Sequence, residues 1–157
     1  MTRKQKTLVL GIGSPFGDDQ FGWLVAKEIK EMLKSGQRLH IDIEIADRPG
    51  LNLLRFLEKD YAQIILIDAV NAGVKPGMQF TLQSHEILEF SGFLSSHNIG
   101  VAPSLALANA LNMQIDHVLF YGVQGKHLFV KDDVLSDAVK KSVGNMAQMI
   151  TLQLIKS

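Results

Sequence analysis

Residues 63–70 read Gln63-Ile-Ile-Leu-Ile67-Asp68-Ala-Val70, an aliphatic run interrupted by one aspartate near its end. A run apolar on both faces predicts a central parallel strand with helices covering each side. The chain on either side supports that reading. Upstream, Thr7–Gly13 (TLVLGIG) is a second buried-strand pattern, closed by glycines. Asp19–Lys34 follows, with Phe21, Leu24, Val25, Ile29, Met32 and Leu33 on one helical face, and Ser35-Gly36 stops it. Ile41–Asp47 (IDIEIAD) alternates strictly, as a half-buried strand does. Leu51–Lys59 is a short helix with Leu53, Leu54 and Leu57 inward.

Downstream, Lys75-Pro76-Gly77 turns the chain into a strand over Met78–Gln83. A short helix is expected near His85–Phe90, a loop over Phe93–Gly100 and a small-residue helix over Ala102–Met113. His117–Val123 (HVLFYGV) is another buried strand. Asp132 or Asp133 is expected to cap a last helix whose stripe holds Leu135, Ala138, Val139, Val143, Met146, Ala147 and Ile150. The alternation predicts a three-layer α/β fold: a mostly parallel, twisted, five-stranded sheet flanked by helices, with one strand antiparallel. The most buried strands, the first, third and last, belong inside it. An order 2-1-3 puts a topological switch point between the first and third strands, where ligands bind at the carboxyl ends.

The 157 residues fit one domain spanning 1–157. Lys+Arg 16 balances Asp+Glu 16, so nothing calls for nucleic acid or a membrane surface as partner. With no cysteine, disulfides, thiolate nucleophiles and thiolate-held zinc are excluded, and a metal must be held by carboxylate, imidazole or carbonyl groups. The basic start, Met1–Lys6, precedes too short an apolar run for a signal peptide, and no run approaches the ~20 residues of a spanning helix. The expected location is the cytoplasm.

What leaves the first strand is Gly11-Ile-Gly13-Ser-Pro-Phe16-Gly17-Asp18-Asp19. The loop backbone at Gly11 and Gly13 suggests a phosphate cradle, but a dinucleotide fingerprint needs a third glycine where Phe16 stands, and there is no Walker lysine. Two carboxylates at the switch point repel phosphate and favour a cation. One of Asp18 and Asp19 is expected to cap the following helix, which leaves the other for function. Asp68 ends a buried strand and must find a hydrogen bond, a cation or a proton. Under the 2-1-3 order it converges with Asp18 and Asp19. Of five histidines, His40 and His117 open strands at the opposite end of the sheet, while His97 lies in the loop Leu94–Gly100. Two carboxylates and one imidazole suit a divalent ion such as nickel or zinc, with positions left open.

Leu8–Gly22 (LVLGIGSPFGDDQFG), Ile64–Val70 with Pro76-Gly77, and Ser96-His97-Asn98-Ile99-Gly100 resemble the maturation endopeptidases of nickel–iron hydrogenases, in the same order and through nearly the whole chain. The resemblance implies a twisted parallel-type sheet between helices. It implies an aspartyl-type endopeptidase that removes the C-terminal extension of a hydrogenase large-subunit precursor. It also implies a metal site of Asp19, Asp68 and His97, in which Asp19 and Asp68 are the catalytic carboxylates. The metal is nickel carried by the substrate, another divalent metal being the alternative, and the enzyme is expected to be a monomer. Two departures stand out. The loop from Gly13 to Asp18 is one residue short, which leaves Asp18 and Asp19 as rival ligands. Asp47-Arg48-Pro49-Gly50 replaces the family's Asp-Gly-Gly-Thr segment, which puts substrate choice at Asp47, Arg48 and Gly50, and with it activity, in question. The rival functions are a nucleotide-binding module and a non-catalytic binding protein on the same fold.

Overall fold

The computed structural model of the protein describes residues 6–47, 53–89 and 101–156, with the backbone alone for 101–104. Strands β1 (Thr7–Gly13), β2 (Ile41–Asp47), β3 (Gln63–Val70), β4 (Gln79–Gln83) and β5 (Val118–Gln124) form one sheet in the order β2-β1-β3-β5-β4. β1 runs parallel to β2 and β3, β3 runs parallel to β5, and β4 closes the far edge antiparallel to β5. The expected architecture is therefore the observed one, with β1, β3 and β5 inside.

Strand alternation divides the core into two layers. Val9, Ile65, Ile67, Tyr121 and Val123 point to one face, which α1 (Phe21–Met32) and α5 (Asp137–Lys156) cover with Phe21, Val25, Ile29, Val143, Met146 and Ile150. Leu8, Leu10, Ile12, Ile64, Leu66 and Phe120 point to the other, beneath α2 (Leu53–Leu57), α3 (Ser84–Glu89) and α4 (Val101–Ala110). Both faces of β3 are thus dry, which is why its sequence does not alternate.

Three details differ from the sequence reading. The alternation of β2 does not bury Ile45, which is 56% exposed. β2 is an edge strand, and the apolar layer against α1 takes in only Ile41 and Ile43 from it. α4 stops at Ala110 rather than Met113 because Asn112 adopts φ 58, a left-handed end in which the Met113 N–H bonds the Ala108 carbonyl. α5 starts at Asp137, so neither Asp132 nor Asp133 caps it; Asp132 instead accepts the Val134 N–H in a local turn. The segments assigned from sequence to a loop over Phe93–Gly100 and to the start of the Leu51 helix lie outside the described residues.

Candidate active site

The site assembles where β1 and β3 end side by side. Gly11 pairs in register with Ile67, so Asp68 follows one step up the neighbouring strand. Gly13 pairs on its other side with Asp47, the last residue of β2. Gly11 and Gly13 belong to β1 itself, not to the loop after it, and their bareness serves packing. A Cβ at Gly11 would land on the Gly22 carbonyl, and one at Gly13 on the Asp19 carbonyl. Gly22 is squeezed in turn against the Ile12 and Ile67 carbonyls. The backbone of α1 therefore lies directly on β1 and β3, and brings the preceding turn onto the strand ends.

That turn, Gly17–Gln20, is a single 3₁₀ turn, and the backbone donors at its start are engaged. Ser14 N–H bonds the Asp19 carbonyl at 3.0 Å, Gly17 N–H the Asp132 carbonyl at 2.9 Å, and Asp18 N–H the His127 carbonyl at 2.8 Å. A phosphate cradle needs such N–H groups free. This geometry disfavours the nucleotide-binding alternative on grounds independent of the missing third glycine.

Neither aspartate caps α1; no side chain bonds the first turn from Gln20 or Phe16. Instead both reach 108 or more residues along the chain, to the segment between β5 and α5. Asp18 is fully buried and accepts four hydrogen bonds: from the N–H groups of Lys126 and His127 at 2.7 Å each, and from the N–H and hydroxyl of Ser136 at 2.8 Å each. Every one of these contacts is a donor, so both carboxylate oxygens are satisfied. Ser136 also stands at the start of α5, where the helix presents unpaired N–H groups and a partial positive charge. Asp19, 3% exposed, accepts the Phe129 N–H at 2.9 Å. Asp68 is wholly buried and, by alternation, shares a face with Ile64, Leu66 and Val70.

Gln124, at the end of β5, is a positioning residue that the sequence reading missed. Its carbonyl oxygen accepts the Ala72 N–H at 2.7 Å and its amide donates to the Gly125 carbonyl at 2.8 Å, fastening the turn after β3 to the same end of the sheet. Only a glutamine interrupting the buried pattern of residues 118–125 could have betrayed it. Trp23 on α1 similarly ties its indole N–H to the Ala46 carbonyl at 2.9 Å, next to Asp47.

The fold thus brings Asp18, Asp19, Asp47 and Asp68 to one end of the sheet. His97, Arg48 and Gly50 lie outside the described residues. Among the described residues no three acids or histidines stand close enough to hold a metal ion by themselves. His40 and His117 lie at the opposite end, before β2 and β5. Burial lowers the His117 imidazole from its ordinary pKa of 6.5, opposed by the charge of Asp116.

The family model for hydrogenase maturation protease (HycI) matches residues 24–153. The chain belongs to the hydrogenase maturation protease family. Membership makes it a hydrolase of the peptidase class. The match begins just beyond Asp19, but relatives extend the likeness to the whole chain. A Methanocaldococcus jannaschii protein assigned to hydrogenase maturation proteases is 27% identical over 162 residues, covering 98% of this chain and 99% of its own. The hydrogenase expression/formation protein HupD of Rhodobacter capsulatus is 29% identical over 127 residues, covering 78% of this chain and 58% of its own. Two solved maturation proteases share the fold. The endopeptidase HybD of E. coli superimposes with a TM-score of 0.78 at 20% identity, covering 96% of this chain and 93% of its own. HycI of Thermococcus kodakarensis gives 0.70 at 22% identity, covering 98% and 94%. Among the described residues of this maturation protease, no helix is long and apolar enough to cross a membrane.

Proposed function

We propose that this maturation protease removes the C-terminal extension of a nickel-loaded hydrogenase large-subunit precursor, recognising the nickel through Asp19, Asp68 and His97. The observation that carries the reading is the pair of buried carboxylates, Asp19 and Asp68, at the carboxyl ends of adjacent central strands. Carboxylates gathered at one end of the sheet give that end a negative potential, which favours a positive ligand. Asp18 is the weaker candidate for ligand, since both its oxygens are engaged by the segment 126–136. Asp19 accepts the Phe129 N–H from that segment through Oδ2.

Oxygen donors and an imidazole suit a divalent ion at the hard-to-borderline end of the series, and nickel brought by the substrate fits that set. Bound there, it would polarise the scissile carbonyl or lower the pKa of an attacking water. The work left to the chain is to hold the precursor's metal centre against the strand ends and to take a proton from the water. A carboxylate of Asp68 or Asp19 serves as that base. Asp47, paired in register with Gly13, lies at the same end of the sheet, and with Arg48 and Gly50 it is the segment we assign to choosing the substrate. The reaction is placed in the cytoplasm, on a monomeric enzyme.

The intact mass of a nickel-loaded precursor, incubated with the protein and in parallel with Asp68→Ala, tests this. C-terminal truncation by the first and none by the second is the expected result. No truncation by either, with nickel shown to be in the precursor, would sink the activity; truncation by both would remove Asp68 from the site.

A further inference from the structure

The segment between β5 and α5 is laced to the turn after β1 from both directions. Gly17 N–H bonds the Asp132 carbonyl, Asp18 N–H the His127 carbonyl, and the N–H groups of Lys126, His127 and Ser136 return to the Asp18 carboxylate. Gln20 adds its side-chain amide to the Asp133 carbonyl at 2.9 Å. The two pieces also touch directly: a Cβ at Gly17 would land on the His127 carbonyl and on the Val130 side chain. Phe129 stands inside this frame, with anchored residues on both sides, His127 before it and Asp132 after it. It adopts φ 57, a left-handed conformation that a bulky residue enters only at a cost. Asn112, the other non-glycine residue of positive φ among the described residues, closes a helix; Phe129 closes none. Its N–H donates to Oδ2 of the Asp19 carboxylate at 2.9 Å. Because φ is the rotation about the bond from the amide nitrogen to Cα, a return to negative φ in a chain pinned on both sides turns this N–H away from Asp19. Strain held by a surrounding network, beside a candidate functional carboxylate, points to the contact that it maintains.

We propose that Phe129 is a positioning residue of this protease: its main-chain N–H, held by the left-handed backbone, sets the orientation in which the Asp19 carboxylate meets the nickel of the precursor. This rests on the nickel recognition proposed above. The last torsion of an aspartate is broad, so burial by itself leaves the direction of the carboxylate oxygens loosely defined, whereas a fixed donor at one oxygen defines it. Groups bonded behind a metal-binding carboxylate orient it, and losing one lowers metal affinity by about 10–100-fold. The contribution is that of the amide, not of the side chain. Asp18 serves the same arrangement from the other side, by tying Lys126, His127 and Ser136 to the turn that carries Asp19.

The reading that tests it is the preference for nickel: the Ki of nickel-free precursor as a competitive inhibitor, divided by the KM of nickel-loaded precursor. Loss of general stability does not move this ratio. Phe129→Val opposes the left-handed backbone, because a β-branched residue is an outlier at positive φ. Phe129→Gly and Phe129→Asn accept it and keep the N–H, while lacking the ring. The ratio should fall about tenfold in Phe129→Val and be restored to within about twofold in the glycine and asparagine variants. Replacing the peptide amide before Phe129 by an ester deletes the N–H and keeps the ring, and should lower the ratio as Phe129→Val does. Where Phe129→Val does not fold, the ester protein decides. An equal loss in the glycine and asparagine variants would make the side chain responsible and overturn the assignment. A lower melting temperature in the ester protein with the ratio unchanged would make the contact structural only and overturn it too. Absence of cleavage by the unaltered protein, or cleavage without a preference for nickel, overturns the proposed function together with this inference; a nickel preference that the ester leaves intact overturns this inference alone.

Discussion

The two ends of the sheet treat their acidic residues in opposite ways. At the carboxyl end, Asp18, Asp19 and Asp68 are all buried, and Asp18 alone gathers four donors from a segment more than a hundred residues away. At the amino end, Asp42 is half exposed and meets Lys6 at 3.3 Å and the Tyr61 hydroxyl at 2.7 Å. The first arrangement takes charge out of water, which the fold sustains at Asp18 by supplying donors from the segment 126–136. The second leaves the charges in water, where an ion pair contributes little. The contrast teaches that depth and the identity of the donors, not number, separate the two groups of acids.

That contrast has consequences of very different size. Removing a carboxylate at the buried end should be felt first in chemistry: Asp68→Ala is expected to lower the rate of precursor truncation by about 10²–10⁴-fold, read by intact mass over time. Asp18→Asn should act on stability instead. An amide forces one N–H group against donors that a carboxylate accepts on both sides. A loss of about 2–3 kcal/mol, or roughly 5–10 °C in melting temperature, is expected in thermal unfolding; a change within 1 °C would show that the four bonds do not hold the segment. Ser136→Ala, which removes only the hydroxyl donor, should cost less than half as much.

At the amino end the expected effects are smaller. His117 is held below its ordinary pKa of 6.5 by burial, against the charge of Asp116, so the unfolded chain binds its proton more readily than the folded one. Its contribution to stability is therefore whole above pH 6.5 and lost as pH falls from there through the lowered folded-state value. Melting temperature followed from pH 7.5 to 5 should decline less steeply in His117→Gln. An identical slope would remove His117 from the account. Smallest of all, Lys6→Ala should cost less than ~1 kcal/mol, and added salt should erase most of even that. A penalty at Lys6 as large as that at Asp18 would break the comparison between the ends.

Much of the fold was readable in the residues because it depends on local patterns. Thr7–Gly13, Ile41–Asp47 and Gln63–Val70 coincide with β1, β2 and β3 as observed, since each is a burial pattern with a glycine or polar stop beside it. The partial order 2-1-3, and the inner place of the first, third and last strands, followed from how apolar each strand is. The role of Asp18 was not readable. Helix caps act over three or four residues, and an aspartate before a helix looks like a cap; here its partners are Lys126, His127 and Ser136, which no local rule connects to it. The start of α5 was misjudged for the same reason. Asp132 and Asp133 have the chemistry of caps, but the backbone carbonyls of both are engaged across the loop by Gly17 and Gln20. The placement of Asp19 and Asp68 at the carboxyl end of the sheet was therefore legible in the sequence, and what holds Asp18 beside them was not. The strain at Phe129 was invisible too, because a left-handed phenylalanine has no signature in sequence.

The bond between Asp18 and Ser136 spans 118 residues. A chain emerging from the ribosome makes its first strand and the turn bearing Asp19 early, yet the donors that fix this turn are the last to be synthesised before the final helix. Until residues 126–136 are out, Asp18 lacks the donors that this segment supplies. A contact of such span is slow to close and stabilises nothing before it does. The turn bearing Asp19 is therefore expected to be fixed late in folding, once the segment 126–136 has docked against it.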